Sequence, residues 1–252
     1  MLIYSDPLSV DFYKNLSAGH YSLAFQPVVS SSGSSILYFE GLIRDRGQEF
    51  APSPIAHLER LRRIRLLDAS VVSSVLELLT YNKKAIIGCN ISAQSAAMDS
   101  IWRSLERHLR SRQDIAGRLV IEITETSESQ SKRQTLNFIR RMHEIGCRIA
   151  IDDFGAGSHT TLDFLRVAKP SVIKIDRRLL LEARKGKSQT RQLKNLKHEC
   201  ECISPVIILE GVETIDDYKL ARECEFNWLQ GYYFGRPHLN PPQIPSGCLL
   251  RM

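Results

Sequence analysis

The chain has 252 residues, 43% hydrophobic and 25% charged, which supplies a core for one large α/β domain and excludes a disordered or fibrous chain. Its 34 Lys and Arg outnumber 28 Asp and Glu, but they are spread along the chain, so a nucleic-acid polymer is a poor fit as partner. No apolar run approaches the ~20 residues of a membrane span, and Asp6 and Asp11 interrupt the opening MLIYSDPLSVDFYKN, so a cytoplasmic location is expected.

Residues 1–20 read as an extension ahead of a single domain, 21–252. Strand candidates open the domain at 23–29 (LAFQPVV) and 36–43 (ILYFEGLI). The SSSGSS between them is too short for a crossover helix, so the two form an antiparallel hairpin. A helix is predicted over 54–79, with Leu58, Leu61, Ile64 and Leu67 on its apolar face and Arg60, Arg62, Arg63 and Arg65 on a solvated one.

From there strands and helices alternate. Strands are predicted at 85–91, 119–124, 148–152, 172–175, 206–209 and 228–234, and helices at 95–109, 128–145, 161–167, 177–198 and 214–224. The strands are short Ile- and Val-rich runs, mostly without strict alternation, as in a parallel sheet covered on both faces. Six cysteines match no finger or ribbon spacing, and a disulfide framework does not suit an intracellular chain of this size.

Almost every strand ends on a residue able to bind a cation or a proton: Glu40, Asn90, Glu122, Asp152 with Asp153, Lys174, Glu210 and Gln230. An open doubly wound sheet gathers its site at one switch point, whereas a barrel brings every strand C-terminus to one rim. The fold class expected is therefore α/β, a modified TIM-type (β/α)8 barrel with an antiparallel first strand. Five carboxylates at one mouth repel one another. Oxygen ligands without His or Cys point to two divalent cations, Mg²⁺ or Mn²⁺, a device suited to phosphoester hydrolysis.

At these residues the sequence resembles the EAL domain family, the cyclic di-GMP phosphodiesterases of bacteria. From about residue 26 to 237 it carries, in order, FQPVV, FEGLIR, CNIS, EITE, DDFGAG, IKID, EGVET and QGYYFGRP, each similar to a family motif. The resemblance implies that Glu40, Asn90, Glu122 and Asp152 hold one metal, with Asp152 bridging to a second served by Asp153 and Glu210. It implies that Lys174 hydrogen-bonds the attacking water as base or as orienting ammonium, so that Lys174, Glu210 and Asp153 form the catalytic set. Arg44, Gln26 and Gln230 would contact the substrate, Arg44 through a phosphate and Gln230 by orienting a water or ligand. Glu125, Glu213 and Thr124 would support the site and its loop. A homodimer formed through the loop and helix after Asp153, open to a regulatory protein partner, is also implied.

Three departures stand out. Gly41 replaces the usual alanine of the signature, SHTT follows Gly157 in place of Y-S-S, and the stretch 177–198 is unusually basic. The alternative reading is a catalytically weak or silent receptor that keeps the fold. Two look-alike motifs fail: Asp153-Phe154-Gly155 has no accompanying nucleotide loop of a kinase, and Thr160 stands where a dinucleotide fingerprint needs glycine.

Overall fold

The structure, a computed structural model, describes residues 6–45, 53–124, 131–155 and 160–239. Eight strands close into a barrel in chain order: β1 (Tyr21–Ser30), β2 (Ile36–Asp45), β3 (Ile87–Ser92), β4 (Leu119–Thr124), β5 (Arg148–Phe154), β6 (Val172–Ile175), β7 (Ile207–Leu209) and β8 (Trp228–Leu229). β1 pairs antiparallel with both β2 and β8, and all other neighbours are parallel. The expected antiparallel first strand in a (β/α)8-type barrel is what the chain forms.

Ten helices are found among the described residues: α1 (Pro7–Ser17), α2 (Ser53–Arg60), α3 (Arg65–Tyr81), α4 (Ser100–Arg110), α5 (Gln113–Ala116), α6 (Lys132–Glu144), α7 (Leu162–Ala168), α8 (Arg177–Ala183), α9 (Lys187–Glu201) and α10 (Ile215–Glu223). The larger apolar core lies between strands and helices, where Ile87, Cys89, Ile121, Ile149 and Ile173 meet Val72, Leu79, Phe138 and Leu165. A smaller cluster of Val28, Leu37, Tyr38, Val120, Ala150, Val172, Val206 and Ile208 lies in the barrel interior. Leu37 joins it because the register shift between Val28 and Val29 leaves Leu37 as an extra residue in β2.

Strand alternation then does the rest. Two residues beyond Tyr38, Val120, Ala150, Val172 and Ile208, on the same inward face, come Glu40, Glu122, Asp152, Lys174 and Glu210. An apolar floor and a polar ceiling thus follow from one period of two.

The helix expected over 54–79 is two helices. Arg62 takes a left-handed φ of 55° and ends α2, which leaves Leu61 exposed while Leu58, Ile64 and Leu67 stay buried. The arginines there are not a merely solvated face. Arg65 pairs with Asp99 at 2.5 Å and donates to the Ala97 carbonyl, and Arg63 lies 3.6 Å from Asp6. The stretch 177–198 likewise divides, around Gly186, into α8 and α9. Helical order after β3 begins only at Ser100, because 93–95 forms a turn whose Ser95 carbonyl accepts from the Trp102 indole.

The last strand stops at Leu229 rather than running to 234, since the backbone there closes on the loop after β7: a β-carbon on Gly231 would lie 2.0 Å from the Val212 carbonyl oxygen. The extension 1–20 contains α1, capped by Asp6, whose Phe12 is buried and stacks on Tyr21 with ring centroids 4.9 Å apart. Glu125 and the Ser158-His159 variation lie outside the described residues. No helix among the described residues is long and apolar enough to cross a membrane.

Candidate active site

Lys174 rises from β6 into the centre of the rim, fully buried. Its Nζ stands 3.0 Å from Glu40 Oε2, 2.7 Å from Glu122 Oε2, 3.0 Å from Asp152 Oδ1 and 2.8 Å from Glu210 Oε1. Four strands thus deliver four carboxylates to one ammonium. Burial alone would drive the proton off Lys174, but the ring of carboxylates overrides it and holds the pKa well above the usual lysine range. The same ring of carboxylates therefore favours the protonated form of Lys174.

Glu40 is the hub of the polar layer. Its Oε1 accepts from Asn90 Nδ2 at 2.5 Å, and its Oε2 accepts from Gln230 Nε2 at 2.6 Å besides Lys174. Although burial pushes it up, Lys174, Gln230 and Asn90 together keep its pKa below the ordinary value. Gln26, register partner of Glu40, donates from Nε2 to the Gly235 carbonyl at 3.1 Å, and its Oε1 lies 3.4 Å from Gln230 Nε2. The two glutamines therefore sit in the wall, tied to Glu40 and to the last loop.

The other acids are pushed the opposite way. Burial, against the pull of Lys174, raises Glu122, Asp152 and Glu210 above their ordinary values. Asp153 is raised to about 7 by burial and by the neighbouring Asp152. Simple alternation would turn Asp153 away from the barrel, yet it lines the mouth. A register shift between Ile151 and Phe154 and a left-handed φ of 54° at Asp153 redirect it.

Five carboxylates against one ammonium leave a surplus of negative charge, and the donor set fits cations in two places. Oxygens of Glu40, Glu122 and Asp152 all lie within 4.8 Å of one another, as do those of Asp152, Asp153 and Glu210, with Asp152 common to both groups. Three buried acceptors, Asn90 Oδ1, Glu122 Oε1 and Gln230 Oε1, have no hydrogen-bond partner among the described residues. Buried acceptors in that state are costly unless something electropositive meets them. All-oxygen ligation suits a hard divalent cation.

Glu40, Leu42, Asp153, Glu210, Gln230 and Tyr232 surround a mouth of about 210 Å³. Arg44 continues the inward face of β2 past Glu40 and Leu42, and its guanidinium donates to the Ile43 carbonyl at 2.7 Å. Thr124 is the register partner of Asp152, with its hydroxyl 3.5 Å from the Ile91 carbonyl oxygen. Glu213 pairs with Arg177 at 3.1 Å, and both line the mouth.

Sequence reasoning missed Gly88, Tyr38, Asp176 and Arg177. A β-carbon on Gly88 would fall 2.1 Å from Glu122 Oε1 and 2.7 Å from the Tyr38 ring, and Asp176 and Arg177 line the mouth. Gly88 was findable, two residues before Asn90 on the inward face. Gly41 also has a reason, since a β-carbon there would come 3.2 Å from the Gly88 carbonyl oxygen.

The EAL domain family model matches residues 9–237. The chain belongs to the EAL domain family. Among curated EAL relatives, cyclic di-GMP phosphodiesterase PdeF of Escherichia coli strain K12 is 24% identical over 88% of this chain and 30% of its own length. Cyclic di-GMP phosphodiesterase RocR of Pseudomonas aeruginosa is 24% identical over 92% of this chain and 61% of its own length. This EAL chain thus spans less than two thirds of either relative. The solved structure of the PaMucR phosphodiesterase in complex with c-di-GMP superposes with a TM-score of 0.78 at 22% identity, covering 92% of this chain and 97% of that one. At that identity the likeness shows the shared EAL barrel.

Proposed function

We propose that the domain is a metal-dependent phosphodiesterase that opens cyclic di-GMP to linear pGpG. The observation that carries this reading is the meeting of Glu40, Glu122, Asp152, Asp153 and Glu210 in two three-carboxylate groups sharing Asp152. Support comes also from the names of the EAL relatives and from the complex of the PaMucR phosphodiesterase with its ligand.

Glu40, Asn90, Glu122 and Asp152 would hold one divalent cation, Mg²⁺ or Mn²⁺, and Asp152, Asp153 and Glu210 a second. Once bound, the pair would supply Lewis acidity, lowering the pKa of a water and drawing charge from phosphoryl oxygens. The chain's own residues do the remaining work. Lys174, an ammonium, donates to the attacking water's oxygen and offsets charge on the phosphorane-like transition state. Asp153, at the mouth beside Asp152, would receive the proton that the water gives up. Arg44 would seat a phosphate with its planar fork, while Gln26 and Gln230 hold Glu40 in place. The water oxygen would bond to phosphorus as the bond to the 3′ oxygen breaks, and that oxygen would leave after taking a proton from solvent, which balances the one the water gives up.

The deciding experiment incubates purified protein with cyclic di-GMP and Mg²⁺, Mn²⁺, Ca²⁺ or a chelator and follows pGpG. Product with Mg²⁺ or Mn²⁺, and little with Ca²⁺, whose looser shell positions water poorly, supports the enzyme. Binding without product under every metal would instead assign a silent cyclic di-GMP receptor.

A further inference from the structure

We propose that the opposite end of the barrel holds a second ligand site, one that takes a small amphipathic carboxylate: an apolar tail with a single anionic head. A cavity of about 410 Å³ opens there, at the strand starts, walled by Leu37, Tyr38, Val120, Val172, Ile203 and Val206. Small barrels normally fill this space with side chains in layers. Here the contribution of β5 to the interior cluster is only Ala150.

Arg148 is the observation that gives the site a ligand chemistry. It is the first residue of β5, on the same inward face as Ala150 and Asp152, and it lines the cavity. Its side chain makes no hydrogen bond or ion pair with any described residue, and burial lowers its pKa from the ordinary arginine value. A half-buried guanidinium without a counter-charge is costly, and an anionic ligand would offset that cost.

Lys169, exposed and held at a left-handed φ of 47°, adds a second cation to the same lining. Among the described residues the lining contains no acid. An apolar chamber with two cations matches a carboxylate head on a hydrocarbon body. A phosphate or nucleotide would leave the apolar walls unused, and a neutral hydrocarbon would leave Arg148 unanswered.

The test uses sodium decanoate below its micelle concentration, with decanol as the neutral control, followed by calorimetry and thermal unfolding of the full chain. Decanoate is expected to bind at one site and more tightly than decanol. Arg148→Gln should weaken decanoate at least tenfold and leave decanol unchanged. Val172→Phe, which fills the chamber, should abolish binding of both, and Val206→Phe serves if that variant does not fold. Equal affinity for the two probes, or decanoate binding indifferent to Arg148→Gln or to the filled chamber, overturns the proposal. None of these readouts depends on turnover at the other end, so the site stands or falls apart from the phosphodiesterase reading.

Discussion

Glu122 Oε1 occupies the space that a side chain on Gly88 would need, 2.1 Å from where its β-carbon would lie. The two residues sit on adjacent parallel strands, and the Tyr38 ring closes the third side at 2.7 Å. Only a bare backbone lets Glu122 stand upright beside Asn90. Gly88→Ala should therefore tilt the carboxylate and lower divalent-cation affinity by roughly 10–100-fold. Calorimetry with Mg²⁺ or Mn²⁺ measures this, and unchanged affinity would show that Glu122 is not a ligand.

Glu40 ties Lys174, Asn90 and Gln230 together through two oxygens. Glu40→Gln keeps the shape but removes the charge that answers Lys174 and a cation. Turnover should fall at least ~100-fold, while the circular-dichroism spectrum of the barrel persists because little core volume is lost. Near-normal pGpG production by this variant would refute the assignment of Glu40.

A third prediction concerns pH. Asp68, buried in the first turn of α3, accepts from the Ser92 backbone N–H at 3.0 Å, and burial raises its pKa from 3.8 to about 7. Between those values the folded protein keeps a proton that the unfolded chain has lost. Stability from this group is thus present at low pH and is lost as pH rises through 7, a loss on the order of 2–4 kcal/mol. Asp68→Asn keeps the acceptor for Ser92 and never ionises. Urea unfolding in saturating Mg²⁺ should show the variant gaining on the native protein between pH 5 and pH 8. A constant difference across that range would sink the idea.

Much of this was legible in the chain because strand ends and their acids follow a period of two. Glu40, Glu122, Asp152, Lys174 and Glu210 needed only the identification of their strands to be placed on one rim. What was not legible depends on breaks in periodicity. Arg62 interrupts a helical pattern whose spacing continues through it, because its left-handed backbone is set by the turn joining α2 to α3 rather than by any local glycine. Asp153 faces the site through a bulge that alternation argues against. Lys174 gathers four acids through space, and no linear spacing shows whether an amine at a strand end will be solvated or enclosed. Gly88 matters for what it lacks, which only the positions of Glu122 and Tyr38 reveal.

The segment that follows β7 carries Glu210 to the rim, and its far end is pinned by a capping box. Thr214 Oγ1 accepts from Asp217 N at 3.2 Å, while Asp217 Oδ2 accepts from the backbone N–H of Glu213 at 3.0 Å and of Thr214 at 2.9 Å. Arg184, the C-cap of α8, pairs with the other oxygen of Asp217. The threonine of EGVET thus anchors α10, four residues from the acid that reaches the mouth. Thr214→Ala should cost about 1 kcal/mol of stability through loss of the N-cap, and Thr214→Ser should restore most of it. Because the loop is also held by Val212 N–H donating to the Gln230 carbonyl at 3.1 Å, turnover per folded molecule should fall less than twofold. Urea unfolding and initial rates on the same preparations check both halves. A large rate loss with unchanged stability would mean that Thr214 acts on the reaction itself rather than on the helix that supports Glu210.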